Sequence, residues 1–329
     1  MRRNAALVLT LLTLAILASI PWWTATTTNR LFLVTPTKDD LTRYSHMLML
    51  AYMLAASPFA PRVVWIVVED APQRDPAIAQ LLVDSGIEHH YLHRESHAAT
   101  VHRGVELRNA ALDWLASTSL SRPGVVYFAD DDNAYRPDLW PELLKLPVGA
   151  YTVFAVGNTG YYGWEGPVLA PASSSSSSSS LSPDAPGTSV IIEQWCCDYC
   201  LRRWNVDMGG LAFHTSLLGG GGSTSTGGEG EGALRPVRFD LESKSGFLES
   251  DLLDQLERQP SSTLVVRRPL LERVHVWHNF GKPFDRAGLY DADWTTEASV
   301  SLRLRNASDV ARGFAWAATD LPRARILGP

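Results

Sequence analysis

The chain has 329 residues and a formal charge of -6 at pH 7, enough for one large domain or two smaller ones. The acidic balance argues against a nucleic-acid partner, which would want a basic face. Its three cysteines, Cys196, Cys197 and Cys200, fall in one short stretch. An odd count leaves at least one free or paired elsewhere, and their spacing does not show the further ligands a zinc site needs.

The amino terminus reads as a membrane anchor. Arg2 and Arg3 precede a run from Ala5 to Trp23 without a charged residue, and Trp22 and Trp23 suit the far interface. A spanning helix needs ~20 mostly apolar residues, and this run is just long enough. A cleaved signal peptide is the competing view, but no small-x-small cleavage site precedes the tryptophans. Residues from about 24 onward are then expected in the lumen, consistent with the sequon Asn306-Ala307-Ser308.

Leu31 to Val34 reads as a strand ending in Thr35-Pro36-Thr37. Thr37 with Asp40 has the form of a capping box for a helix whose apolar residues recur at Leu41, Tyr44, Leu48 and Tyr52. Val63 to Val68 is a second strand, with Glu69 and Asp70 at its carboxyl end. Ile78 to Val83 reads as helical. His93 and His97 have the i, i+4 spacing of a helical metal pair, although surface histidines account for them without a third ligand. Arg103-Gly104 opens a helix through Leu115, carrying Arg108.

Next comes GVVYFADDDNAYR, Gly124 to Arg136. A short run of β-branched and aromatic residues is what a strand buried on both faces looks like. It stops at Asp130, Asp131 and Asp132, whose charges repel one another unless a divalent cation compensates. Standing alone, the same triplet is also what a solvated acidic turn ahead of Pro137 looks like. Three strands alternating with helices indicate an open α/β sheet, which binds ligands outside the carboxyl ends of its strands. A metal-diphosphate site is the reading that joins these features.

The second half is less regular. Val153 to Val156 reads as a strand, followed by the aromatic-acid cluster Tyr161, Tyr162, Trp164 and Glu165. The Ser173–Ser180 run and the Gly219–Gly232 run cannot bury apolar surface and read as loop insertions. Phe247 to Leu253 starts a helix, and Val274 to His278 is a strand.

TPT (35–37), VVED (67–70), RGVELRN (103–109), GVVYFADDDN (124–133), WEGP (164–167), VDMGG (206–210), LESDLL (248–253) and VWH (276–278) follow one another in this order. The series resembles the β-1,3-glucuronosyltransferases, glycosyltransferase family 43, from about Leu31 to Pro283. The resemblance implies an α/β fold of GT-A type, an open mixed sheet with a Rossmann-like donor half and an acceptor-binding half. It divides the chain into an anchor (1–23), a donor half (24–132), an acceptor half (133–290, insertions at 172–182 and 219–233) and a C-terminal extension (291–329).

It further implies a type II Golgi membrane enzyme, dependent on Mn²⁺, that transfers a sugar from a UDP-sugar donor to a glycan or proteoglycan acceptor with inversion. Members of the family tend to form homodimers. Carried over to matching positions, Asp70, Arg103, Arg108, Asp130, Asp131 and His278 would bind the donor, and Asp132 the metal. Glu165, Arg202 and Asp207 would bind the acceptor sugar, Arg202 being placed only by its distance from VDMGG. Glu249 in LESDLL would be the single base that one-step inversion requires.

Two positions depart from the pattern. The family typically carries Tyr after TPT and Arg two residues after the WH histidine, whereas this chain has Lys38 and Phe280. The leading expectation is glucuronate transfer to the 3-hydroxyl of a terminal galactose. The alternatives are a UDP-xylose-dependent xylan enzyme of the same family and a non-catalytic Golgi scaffold. A metal-dependent phosphohydrolase would leave LESDLL and VDMGG unexplained.

Overall fold

Apolar runs rich in β-branched residues, too short for helices of useful length, assemble into the centre of one sheet. The computed structural model describes residues 29–97, 104–118, 123–157, 164–169, 189–196, 202–219, 236–244, 246–278 and 323–327. β1 (Arg30–Lys38) lies between β2 (Val63–Asp70) and β4 (Gly124–Phe128), parallel to both, and β3 (Glu88–His93) lies parallel beyond β2 at the sheet edge. Helices α1 (Arg43–Ala55), α2 (Pro76–Asp84) and α3 (Val105–Thr118) make the three crossovers. Parallel neighbours need such crossovers, because a tight turn can only reverse the chain.

Past β4 the sheet becomes mixed. β10 (Leu211–His214) runs antiparallel to β4 and to β6 (Ala150–Val153), and β11 (Thr263–Arg267) is parallel to β6. β13 (Arg323–Leu327) pairs with β11 and with β9 (Ser189–Cys196). The rest of the sheet is β8 (Trp164–Leu169), β7 (Val156–Gly157), β12 (Val276–Trp277) and β5 (Ala134–Tyr135). This is the open mixed α/β architecture expected.

Period-2 alternation divides the core between the two faces. Phe32, Val34, Val64, Ile66, Val126 and Phe128 pack with α3 on one side. Leu31, Leu33, Val63, Trp65, Val125 and Tyr127 pack with α1, α2 and α4 (Leu139–Leu144) on the other. Each such side chain removed from water stabilises the fold by ~1.5–3 kcal/mol. Trp65, fully buried, donates from Nε1 to Thr35 Oγ1 at 2.9 Å, so its polar edge is satisfied.

Several local expectations are corrected. The strand does not end before Thr35-Pro36-Thr37: β1 continues through them to Lys38, in register with Asp70. The capping box does not form. Asp40 Oδ1 instead accepts from the backbone N–H groups of Thr42 and Arg43, both at 2.8 Å. α1 therefore begins at Arg43 and buries Met47, Leu50, Ala51 and Leu54, leaving Leu41, Tyr44 and Tyr52 exposed. His93 ends a strand and His97 follows it, so the i, i+4 helical spacing is not realised. Among the described residues no group of three or more His, Cys, Asp or Glu is arranged to hold a metal ion.

The apolar run 5–23, both low-complexity insertions, Arg103, Cys197, Cys200 and Phe280 lie outside the described residues. No helix among the described residues is long and apolar enough to cross a membrane.

Candidate active site

The carboxyl ends of β1, β2 and β4 meet at one edge, and Asp70 and Asp130 to Asp132, expected at the donor and metal, stand there. Glu69 and Asp70 end β2 but part company. Glu69 is buried, accepts from Arg43 Nη1 at 2.5 Å and from the Tyr91 hydroxyl, and belongs to the framework. Asp70, half-buried, accepts from the Ser96 backbone N–H at 2.8 Å.

α3 begins at Gly104, whose φ of +74° favours glycine; a Cβ there would also stand 2.8 Å from the Arg108 guanidinium. Val105, Arg108, Leu112 and Leu115 share the buried face of this helix at helical spacing. Arg108 is thus carried inward, where its Nη2 donates to Asp130 Oδ1 at 2.5 Å. The last residue of RGVELRN has its own task. Asn109 exchanges two 2.9 Å hydrogen bonds with the backbone of Phe239, tying the helix to the segment ahead of α5 (Leu248–Glu257).

The three aspartates have different surroundings. Asp130 faces Arg108, and its carbonyl accepts from the Tyr135 hydroxyl at 2.7 Å. Asp131 accepts from Thr37 Oγ1 at 2.7 Å, the use to which the structure puts Thr37 in place of a cap. Burial pushes the Asp131 carboxyl up to about 6 against that hydrogen bond, and Asp132 and Asp130 add to the effect. Burial and the charge of Asp130 raise Asp132 above the usual carboxylate range, while His278 pulls it back. Of the three, Arg108 pairs with Asp130, so Asp131 and Asp132 are the carboxylates left to hold a divalent cation. Such a cation takes one or two from a protein and would fill its other positions with water and phosphate oxygens.

On the other side, VDMGG forms a 3₁₀ turn, Met208–Gly210, capped by Asp207, which accepts from Gly209 N–H at 3.0 Å. A Cβ on Gly210 would stand 2.5 Å from the Phe154 carbonyl, so the turn can press against the strands only with glycine there. Burial raises the Asp207 carboxyl, with His278 and Arg108 opposing and Asp130 reinforcing. Glu165 on β8 approaches Arg202, whose Nη2 lies 3.4 Å from Oε2. Arg202 also donates to the Gly246 carbonyl at 2.6 Å and to Asn205 Oδ1 at 3.1 Å.

α5 buries Leu252, Leu253 and Leu256, and Glu249 heads the same stripe one turn earlier. Ser250 Oγ pins the helix start to the Trp204 carbonyl at 2.7 Å. Glu249 is thereby held half-buried at the site. Burial pushes its carboxyl up to about 7, Asp207 adds to this, and Arg202 and Arg108 oppose it. A carboxyl poised near neutrality takes and releases a proton readily, as a general base must.

Asp132 lies in the field of Asp130 and His278, Asp207 in that of His278, Asp130 and Arg108, and Glu249 in that of Asp207, Arg202 and Arg108, which links them into one candidate site. Asp131 joins it through Asp132 and Asp130, and Glu165 through Arg202, whereas Asp70 stands at the end of β2 in register with Lys38 of β1. Sequence reasoning missed Thr37, Asn109 and Asn205 as supports. Their signal is position alone: each sits in or directly beside a motif.

Fold and site together define an open α/β protein whose candidate site lies at the carboxyl ends of its parallel strands. The sequence model of glycosyltransferase family 43 matches residues 53–280, and the chain belongs to that family. It is 37% identical over 161 residues to human galactosylgalactosylxylosylprotein 3-beta-glucuronosyltransferase 1, covering 43% of this chain and 45% of that one. To the human 3-beta-glucuronosyltransferase 3 it is 30% identical over 270 residues, covering 75% of this chain and 69% of that one. The first of these matches spans less than half the length of the relative. Among solved structures it is similar to S. aureus TarS in complex with UDP-GlcNAc, with a TM-score of 0.42 and 11% identity over 88% of this chain and 69% of that one.

Proposed function

We propose that the protein is an inverting, metal-dependent glycosyltransferase that moves glucuronic acid from UDP-glucuronate to the 3-hydroxyl of a terminal galactose. The observation that carries this reading is Glu249, a carboxyl raised to about 7 beside Asp207 and Arg202 and within the field of Arg108. Asp207, Glu165 and Arg202 would orient the acceptor sugar so that its hydroxyl meets Glu249. As the acceptor oxygen bonds to the anomeric carbon, the bond to UDP breaks on the opposite face and Glu249 keeps the proton. Asp70 would accept from the base or ribose, and Arg108, Asp130, Asp131 and His278 would hold the diphosphate and donor sugar, with Arg103 a further phosphate partner.

Asp132 would hold Mn²⁺, which when bound neutralises charge developing on the departing UDP. The family habit and the apolar run 5–23 support a single-pass Golgi enzyme with its catalytic part in the lumen. The family habit also makes a homodimer the expected assembly.

The test compares the full chain with its Glu249→Gln variant, using Mn²⁺, a galactose-terminated acceptor and a panel of UDP-sugars. The variant should keep UDP affinity and lose transfer by roughly 10²–10⁴-fold. Wild-type transfer by the variant would remove Glu249 as the base. Selective use of UDP-xylose by the wild type would move the enzyme to xylan chemistry, and absence of turnover with any donor would favour the scaffold.

A further inference from the structure

A groove of about 540 Å³ opens at the β3 edge of the sheet, lined by Arg74, His93, Arg94, Asp113 and Trp114 among others. It lies across the sheet from the three aspartates that follow β4. β3 is separated from β4 by two strands, and three interstrand steps make roughly 14 Å.

Its chemistry is unlike that of the chain as a whole, which carries a formal charge of -6. Arg74 and Arg94 stand exposed at the groove, and among the described residues neither pairs with a carboxylate. The Arg74 guanidinium reaches only the Tyr91 carbonyl, at 3.3 Å. Asp113, the acid in the lining, is already paired with Arg238. The groove therefore offers two guanidiniums that no carboxylate among the described residues neutralises. Trp114 supplies a half-buried apolar platform, braced by the His90 ring at 4.1 Å between centroids.

We propose that this groove binds an anionic oligosaccharide, one whose sugar rings bear carboxylate or sulfate groups. A guanidinium matches the planar fork of a carboxylate and the oxygens of a sulfate, and an indole face suits the apolar C–H face of a sugar ring. The class of ligand rests on the glycosyl-transfer reading; the charge and shape of the groove do not. The segment beyond β3 leads from the groove to the donor side. Arg94 N–H donates to the Glu69 carbonyl and Ser96 N–H to Asp70 Oδ1, both at 2.8 Å. An occupant would lie next to the donor-binding edge without entering it.

The experiment titrates the full-length protein with a tetrasaccharide of uronate sugars, a sulfated tetrasaccharide and a neutral one of equal length. The Arg74→Ser/Arg94→Ser variant is run in parallel, with UDP and Mn²⁺ as the control ligand. The wild type should prefer an anionic probe, and the variant should lose about tenfold or more in affinity for it while binding UDP unchanged. Whichever anionic probe binds better identifies the charged group. Equal binding by wild type and variant, or no preference over the neutral probe, overturns the proposal. Loss of UDP binding by the wild type would instead defeat the transfer reading and leave this comparison standing.

Discussion

Of the residues proposed for the donor side, Asp70 ends β2 and the three aspartates follow β4 within four residues, so the sheet itself delivers them. Those proposed for the acceptor side, Glu165, Arg202, Asp207 and Glu249, come from a strand, a loop, a 3₁₀ turn and a helix start. The first group is held by parallel register, the second by tertiary bonds such as Ser250 to Trp204 and Arg202 to Gly246. A strand end is positioned by its whole ladder, whereas a loop residue depends on one or two contacts. The donor side should therefore tolerate loss of a supporting hydrogen bond better than the acceptor side does.

The largest effect expected is on the donor side and concerns charge rather than support. Asp132→Ala should abolish metal-dependent UDP binding, measured by calorimetry with and without Mn²⁺; normal binding would remove Asp132 as the ligand. Glu249 gives a second break, in pH. Its carboxyl must be ionised to take a proton, so transfer should fall as pH drops through about 7, read from the acid limb of the rate profile.

The same shift has a stability consequence. Between the ordinary 4.5 and about 7 the folded state holds more protons at Glu249 than the unfolded state, so its contribution to stability declines as pH rises. Glu249→Gln removes that decline and should melt higher than wild type above pH 7, by about 1 kcal/mol after allowance for solvent screening. An equal melting temperature at pH 8 would argue against a desolvated carboxyl.

Arg108→Ala leaves Asp130 without its guanidinium. It should cost roughly 1.5–3 kcal/mol of stability and weaken UDP binding, both read on the same sample. The smallest effect belongs to Thr37→Val, which keeps β1 intact and removes only the hydrogen bond to Asp131. A loss of about 1 kcal/mol or less is expected in chemical denaturation. If it instead matched the Arg108 variant, the ladder would not be what positions the aspartates.

Much of this was legible beforehand because it depends on local order along the chain. The buried strands, the acids at their ends and the helix start at Gly104 each leave a compact signal in a few consecutive residues. The miss at α1 is instructive. Leu41, Tyr44 and Tyr52 have helical spacing as good as that of Met47, Leu50 and Leu54, and only packing against β1 and β2 decides which stripe is buried. Thr37 shows the same limit: a capping box and a bond to Asp131, 94 residues away, begin from the same hydroxyl.

The sequence by itself determined the order of elements, the α/β class and the residue types of the site, since these follow from periodicity and motif spacing. The tertiary structure alone decided that Glu249 sits beside Asp207 with its carboxyl near neutrality, and that Glu69 serves the framework. It also decided that β13, which carries no local signal, joins the sheet beside β11. Burial, register and long-range hydrogen bonds are properties of residues distant along the chain, and no local pattern encodes them.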